Sequence, residues 1–407
     1  MKQTTIALVL IFTLGFFQLL TAQRAPKIEL VESTPVGTTL DNPDIPDAHD
    51  VWLAMIHSAQ KSLDIEQFYI SNKQSEMLDD IIAAIIDAGT RGVKVRLIAD
   101  ARMYKTYPET VDSLRKIANI AVRIIDFGKL AGGIQHAKYF IVDGGETFMG
   151  SQNFDWRALN QIHELGIRLR HPDAVAVYQD IFDLDWRLAE TNDKKSIPTL
   201  LHQKHYGVPF RIISEQNDTT IFTPTMSPDG IIPDSSLWDE HQIVDLIDHA
   251  TKEIICQFLT YSPVGRNKEY YSTLDNAFRR AAVRGVKVKM IISDWSTDHP
   301  TIDHLKSLAL IPNIEIKISS IPDWSGGYVP FGRVEHCKYL VLDGMRCWLG
   351  TSNWEKSYFY ACRNLGIVIQ KGKIPGQLES IFNKSWNGDY THLITPEGNY
   401  PPRRHGE

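Results

Sequence analysis

Two stretches of this 407-residue chain carry a histidine, a lysine, an aspartate, a hydroxyl residue and an asparagine at matching intervals. The first reads His136-x-Lys138-x4-Asp143-x6-Gly150-Ser151-x-Asn153. The second, 200 positions later, reads His336-x-Lys338-x4-Asp343-x6-Gly350-Thr351-x-Asn353. The set suits a phosphodiester. Lysine is a compact point charge for non-bridging oxygens, and asparagine donates amide hydrogens to the same oxygens. Ser151 and Thr351 would add hydroxyl donors as substrate-binding residues. Histidine serves as nucleophile or general acid near neutral pH. One phosphoryl centre needs attack on one side and protonation of the leaving group on the other, so one histidine from each copy fills the two jobs. A lone His-x-Lys is ordinarily a surface strand, but two blocks that agree at every key position, both asparagines included, do not arise that way.

Positioning such groups calls for strands. Side chains alternate along a strand, so His136 and Lys138 share one face while Ala137 and Tyr139 take the other; His336 and Lys338 repeat the arrangement. Asp143-Gly144-Gly145 and Asp343-Gly344 carry turn chemistry, so each block hairpins into a return strand ending at Gly150 or Gly350. Asp143 and Asp343 then read as structural supports of those hairpins. The duplication extends further. Arg91-Gly92-Val93-Lys94-Val95 returns as Arg284-Gly285-Val286-Lys287-Val288, and Leu165-Gly166-Ile167 as Leu365-Gly366-Ile367. Copies of nearly 200 residues are too long for solenoid units and read as two homologous domains. In the first, the pattern predicts helices over 48–59 and 76–88 and strands over 62–70 and 93–99. In the second it predicts helices over 239–250 and 269–283 and strands over 253–261 and 286–292. Alternating strands and helices argue for α/β layers. The Pro- and Ser-containing join places the boundary near 205, giving repeats 23–205 and 206–407.

With these residues in view the chain resembles the phospholipase D superfamily and its double His-Lys-Asp motif. Gly150-Ser151-Gln152-Asn153-Phe154-Asp155-Trp156-Arg157 with Glu164-Leu165-Gly166, and Val329-Pro330-Phe331-Gly332-Arg333-Val334-Glu335-His336, resemble the lysosomal phospholipase-D-like exonucleases. The resemblance runs through most of 45–390. It implies two homologous α/β/α sandwich lobes packed around one shared active site, and a phosphohistidine intermediate. Carried over by position, one of His136 and His336 is the nucleophile and the other the acid, while Lys138, Lys338, Asn153 and Asn353 hold the phosphate. Glu164 matches the superfamily carboxylate expected to orient the histidine of its own repeat, with Asn364 as its counterpart. A carboxylate-backed histidine is the better base, which favours His136 as nucleophile and His336 as acid. No metal or cofactor is called for, because the lysines and asparagines supply the charge work.

Met1-Lys2-Gln3, the apolar run Ile6 to Leu20 and Thr21-Ala22 have the layout of a cleavable signal peptide over 1–22, which predicts a secreted or periplasmic protein. The lysosomal relatives are membrane-anchored at that end, so the chain departs from them there. Cys256, Cys337, Cys347 and Cys362 lack zinc spacing. Their pairing is open, and small buried core residues is the reading favoured for at least two. Lys and Arg total 43 against 49 Asp and Glu, a net charge of −6 that disfavours a basic coat for long duplexes. The resemblance implies single-stranded DNA or RNA as substrate, attacked from an end, with phospholipid as the alternative, and the charge balance fits such a narrow, end-directed cleft. Two motifs in one chain complete one site, so a monomer suffices without an obligate protein partner, and a homodimer is compatible. His49, His57, His163 and His171 lack ligand spacing and receive no role.

Overall fold

Apolar spacing sets the elements of the first repeat. In the computed structural model, which describes residues 25–213, 218–265 and 268–406, they are β1 (Lys27–Ser33), α1 (Ala48–His57), β2 (Ser62–Gln67), α2 (Met77–Thr90), β3 (Lys94–Asp100), β4 (Ile120–Ile125), β5 (Tyr139–Val142), β6 (Glu146–Gly150), β7 (Ile162–Arg170) and α3 (Pro172–Thr191). The expected leader at 1–22 lies outside the described residues. Helix α2 buries Leu78, Ile81, Ile82, Ile85 and Ala88, a helical stripe, and puts Asp79 and Asp80 in its first turn, where the helix dipole favours anions. Gly92 stops it at a φ of 93° that costs a glycine nothing, and Val93 N–H returns to Ala88 O at 3.0 Å.

The second repeat follows the same plan with β8 (Phe210–Ile213), β9 (Thr219–Ser227), α4 (Asp239–Asp248), β10 (Glu253–Phe258), α5 (Ser272–Val283), β11 (Lys287–Ser293), α6 (Thr301–Ala309), β12 (Ile314–Ser319), β13 (Val334–Glu335), β14 (Lys338–Leu342), β15 (Arg346–Gly350), β16 (Asn364–Lys371), α7 (Ile374–Asn387) and β17 (Thr391–Leu393). The sheet orders coincide: β1–β7–β6–β5–β2–β3–β4 in the first and β9–β16–β15–β14–β10–β11–β12 in the second. The second sheet adds β8 and β17 at its edges, and β13 leaves its own repeat to pair with β7 of the first.

Both faces of each sheet are covered, and the parallel strands are buried over most of their length. One core joins the two repeats: Tyr139, Ile141 and Ile167 of the first sheet meet Tyr339, Val341 and Ile367 of the second through Ile181 of α3 and Phe382 of α7. Helices α1 and α2 cover the outer face of the first sheet, and α4, α5 and α6 that of the second. Each large apolar side chain fully buried in the seam contributes about 1.5–3 kcal/mol. The seam holds without a covalent link, since all four cysteines are buried and unpaired.

The two hairpin aspartates bind the backbone of the neighbouring strand entries. Asp143 (φ 51°) and Gly144 turn β5 into β6, and the Asp143 carboxylate accepts the backbone N–H groups of Gln60, Lys61 and Ser62 at the entry to β2. Asp343 accepts those of Thr251, Lys252 and Glu253 at the entry to β10.

Candidate active site

The chain segments just ahead of β5 and β14 carry the two histidines, and each crosses to the other repeat. β13 pairs in parallel with β7, matching Val334 to Ile162 and Glu335 to His163, and His336 N–H donates to His163 O at 2.9 Å. In mirror fashion Gln135 bridges Arg363, and His136 N–H donates to Arg363 O at 2.9 Å. The backbone of each histidine is thus held by the residue preceding Glu164 or Asn364 in the opposite repeat.

This crossing overturns the expected pairing. Glu164 accepts from His336 Nδ1, not from the histidine of its own repeat, and Asn364 Oδ1 lies 3.0 Å from His136 Nδ1. The Asn364 amide is oriented by its own bonds: Nδ2 donates to Tyr358 O at 2.8 Å, and Oδ1 receives Thr351 Oγ1 at 3.0 Å. An oxygen facing Nδ1 puts the proton there and leaves His136 Nε2 with a lone pair. Burial, then Lys138 and Lys338, holds His136 well below the usual histidine range, so its ring is neutral. Phe68 and Tyr358 clamp that ring edge-on, with centroids 5.0 and 4.8 Å away. At the other histidine, burial lifts Glu164 well above the carboxylate range against the opposing pull of Lys338 and Lys138, while burial, then Lys338 and Lys138, also holds His336 well below the usual histidine range.

Lys138 and Lys338 each donate one hydrogen to the carbonyl of the histidine two residues before, both at 2.6 Å, leaving two donors apiece. Burial pulls Lys338 down to about 7, and burial with the neighbouring Lys338 holds Lys138 well below the usual lysine range as well. Two buried ammonium groups beside one another favour an anion between them. Asn153 and Asn353 are buried with their side-chain oxygens unpartnered. Ser151 and Thr351 spend their hydroxyls on neighbouring groups of the fold. The Ser151 hydroxyl accepts Leu165 N–H and faces Leu165 O at 3.2 Å, while Thr351 accepts Leu365 N–H and donates to Asn364. Their hydroxyls are engaged in holding β7 and β16, and Thr351 sits against His136 through its backbone and through Asn364.

The aromatic residues flanking the asparagines divide. Phe154, Trp354 and Phe359 are core, whereas Trp156, Tyr358 and Tyr360 stay partly open. Glu66 and Tyr261, near the ends of the first strand of each repeat, are buried. Beside His136 lies a cavity of about 480 Å³ lined by Arg102, Gly133, Glu355, Lys356, Tyr358 and Tyr360. Gly133 is required there: a Cβ would fall 2.3 Å from Ala361 O.

His163 was passed over in the sequence and proves central to the crossing. Its Nδ1 is 2.8 Å from Glu335 and its Nε2 3.2 Å from Glu32, all three buried. Burial opposes its charge, but Glu335 and Glu32 raise it to about 10. Arg363, at the matching position, forks onto buried Asp185 at 2.6 and 2.8 Å. The readable signal was a cation followed by a polar residue, His163-Glu164 and Arg363-Asn364, opening an apolar strand in both copies.

A family model described as cardiolipin synthase, PLD-like domain matches residues 52–186 and again 243–386, the two halves that meet at this site. The chain belongs to the phospholipase D-like family. Phospholipase D Z of Dictyostelium discoideum is 31% identical over 388 residues, covering 90% of this chain and 91% of its own. The 5'-3' exonuclease PLD3 of Xenopus tropicalis is 28% identical over 399 residues, covering 90% and 80%. Among solved structures, phosphatidylserine synthase of Haemophilus influenzae Rd KW20 matches with a TM-score of 0.64 over 91% of this chain and 90% of its own; at 12% identity it shows the shared fold. This phospholipase D-like protein is a phosphodiesterase of that superfamily.

Proposed function

We propose that the chain is an exported exonuclease acting on single-stranded nucleic acid, with His136 as nucleophile. His136 Nε2 attacks phosphorus, the bond from phosphorus to the leaving oxygen breaks, and His336 gives that oxygen its proton. Water then attacks the phosphohistidine while His336 takes the proton back. Lys138, Lys338, Asn153 and Asn353 stabilise the charge on the non-bridging oxygens. The assignment of nucleophile matches the sequence expectation for a different reason. Asn364 fixes the Nδ1–H tautomer of His136 and leaves Nε2 free to attack, while Glu164 stabilises the charged form in which His336 serves as the acid.

The observation favouring a nucleotide over a lipid is the cavity beside His136. Its Arg102, Lys356 and two tyrosines offer charge, hydrogen bonds and ring faces to a nucleotide, and about 480 Å³ accommodates one nucleoside. Likeness to the PLD3 exonucleases supports the same reading. Among the described residues no helix is long and apolar enough to cross a membrane. Likeness to Phospholipase D Z keeps headgroup cleavage as the second reading. The test offers an end-labelled single-stranded oligonucleotide and, separately, phosphatidylglycerol vesicles, with EDTA present and His136→Ala and His336→Ala as controls. Stepwise shortening lost in both variants is expected. Headgroup release with an intact oligonucleotide would replace the nuclease reading by the lipid one.

A further inference from the structure

The flank of His336 opposite the cavity carries a linked run of rings and cations that the mechanism does not use. Lys73 Nζ sits 4.3 Å from the Trp156 ring centre, and the Arg157 guanidinium lies 5.3 Å from Trp156 and 5.9 Å from Phe331. Asp155 pairs with Arg157 at 2.8 Å, so that guanidinium is a fixed spacer between the two rings. Phe331 N–H donates to His405 O at 2.6 Å, and the same terminal segment brings Arg404 within 5.2 Å of the Tyr328 ring. Tyr328 OH fastens the segment by donating to Gly406 O at 2.7 Å. Phe331 and Tyr328 are 41% and 42% exposed, large for aromatic side chains held in place by so many contacts.

Location gives the run its meaning. Phe331 lies five residues before His336, roughly 17 Å along an extended chain, and Arg333 N–H to Gln161 O at 2.7 Å ties this loop to the start of β7. Trp295, just past the C-terminal end of β11, packs edge-on against Phe331 with centroids 6.4 Å apart. The run therefore opens at the same strand ends as the catalytic cleft, on the side of the acid. In-line displacement sends the leaving group away from the nucleophile and toward the proton donor.

We infer that Lys73, Trp156, Phe331, Tyr328 and Arg404, with the buried Arg157–Asp155 pair holding the rings apart, form the binding track for the leaving strand of a single-stranded nucleic acid. The inference rests on the exonuclease reading above. Alternating rings and cations match the alternation of base and phosphate along a single strand, in which every base offers a π-face and every phosphate a charge. A surface built to lie on a bilayer would instead present a continuous apolar face.

The experiment measures kcat/KM for single-stranded oligonucleotides of increasing length and for a dinucleotide, using the full chain and its Phe331→Ala, Tyr328→Ala and Arg404→Gln variants. Native protein is expected to gain efficiency with length and then level off. Each ring removed lowers the long-to-dinucleotide ratio about five-fold, the lower end for base-on-aromatic stacking. Arg404→Gln, an exposed charge change that leaves the apolar packing in place, reduces the salt slope of oligonucleotide KM by about one phosphate. A length preference that survives in all three variants overturns the track while leaving the nuclease reading standing. So does native protein that shortens oligonucleotides with no length preference. Native protein that cuts no oligonucleotide and loses vesicle binding in the ring variants makes the run a membrane contact and ends both proposals.

Discussion

Replacing Glu164 by glutamine removes the charge behind His336 while keeping an acceptor for its Nδ1 proton. Glu164 is fully buried and bonds His336 Nδ1 from the opposite repeat, so the change isolates what the carboxylate adds to the imidazolium. A hydrogen bond to a charged group contributes about 1.5–3 kcal/mol. At about 1.4 kcal/mol per decade that is roughly a 10- to 150-fold loss in the step needing His336 as acid. The upper part of the range is expected, because little water reaches this pair to screen the lost charge. The loss falls on kcat, since the phosphate-holding lysines and asparagines are untouched. The assay compares a nucleic acid diester, whose alkoxide leaving group needs a proton, with a nitrophenyl diester, whose leaving group departs without one. Rapid mixing should show that Glu164→Gln keeps most of the nitrophenolate burst but turns over slowly, because the second step still needs His336 as base. The oligonucleotide should lose both phases. Equal loss of the burst with both substrates would refute the assignment of the Glu164–His336 pair as leaving-group acid.

Three further outcomes follow from the same geometry. His163→Gln leaves Glu32 and Glu335 buried around a neutral group and should cost about 3–5 kcal/mol at pH 7 by denaturant unfolding. His163 is raised to about 10 from an ordinary value of about 6.5, so its stabilisation is complete below the lower value and disappears as pH climbs through the upper one. The gap between native and variant protein should therefore close above pH 10; a gap that persists there would contradict the ion-triad account. Lys338 is pulled down to about 7, so its charge is present below that pH and lost above it. Native kcat/KM should fall toward about tenfold per pH unit on the alkaline side of 7, and a flat profile between about 7 and 9 would show that the lysine charge is not needed for binding. Asp343→Ala removes the acceptor of three backbone N–H groups at the entry to β10. It should lower stability by about 2 kcal/mol or more with kcat retained, and a loss of kcat without loss of stability would place Asp343 in the chemistry.

Much of this was readable from residue order because it depends on local period and spacing. The stripe Ile81, Ile82, Ile85 fixed α2, with Gly92 its end. The 200-residue offset between His136 and His336 announced two homologous lobes. The partners of those histidines were not readable. Whether Glu164 reaches His136 or His336 depends on β13 leaving its own sheet to pair with β7, and two residues of strand carry no signal of where they dock. The partners of Ser151 and Thr351 were hidden for a related reason: a hydroxyl beside a catalytic asparagine has the right chemistry for phosphate, yet the nearest unfilled groups were the backbone of Leu165 and the Asn364 side chain. His163 was discounted for lacking ligand spacing, because its carboxylates, Glu32 and Glu335, lie 131 and 172 residues away.

The most direct test of the mechanism is to catch the covalent intermediate and locate it. His336→Ala lacks the base that releases the phosphohistidine, so brief reaction with a nitrophenyl diester should leave a phosphoryl adduct on the protein. Peptide mass mapping under alkaline conditions should place that adduct on His136, with none in His136→Ala. An adduct on His336 in His136→Ala, with His136 unmodified in its counterpart, would reverse the two roles.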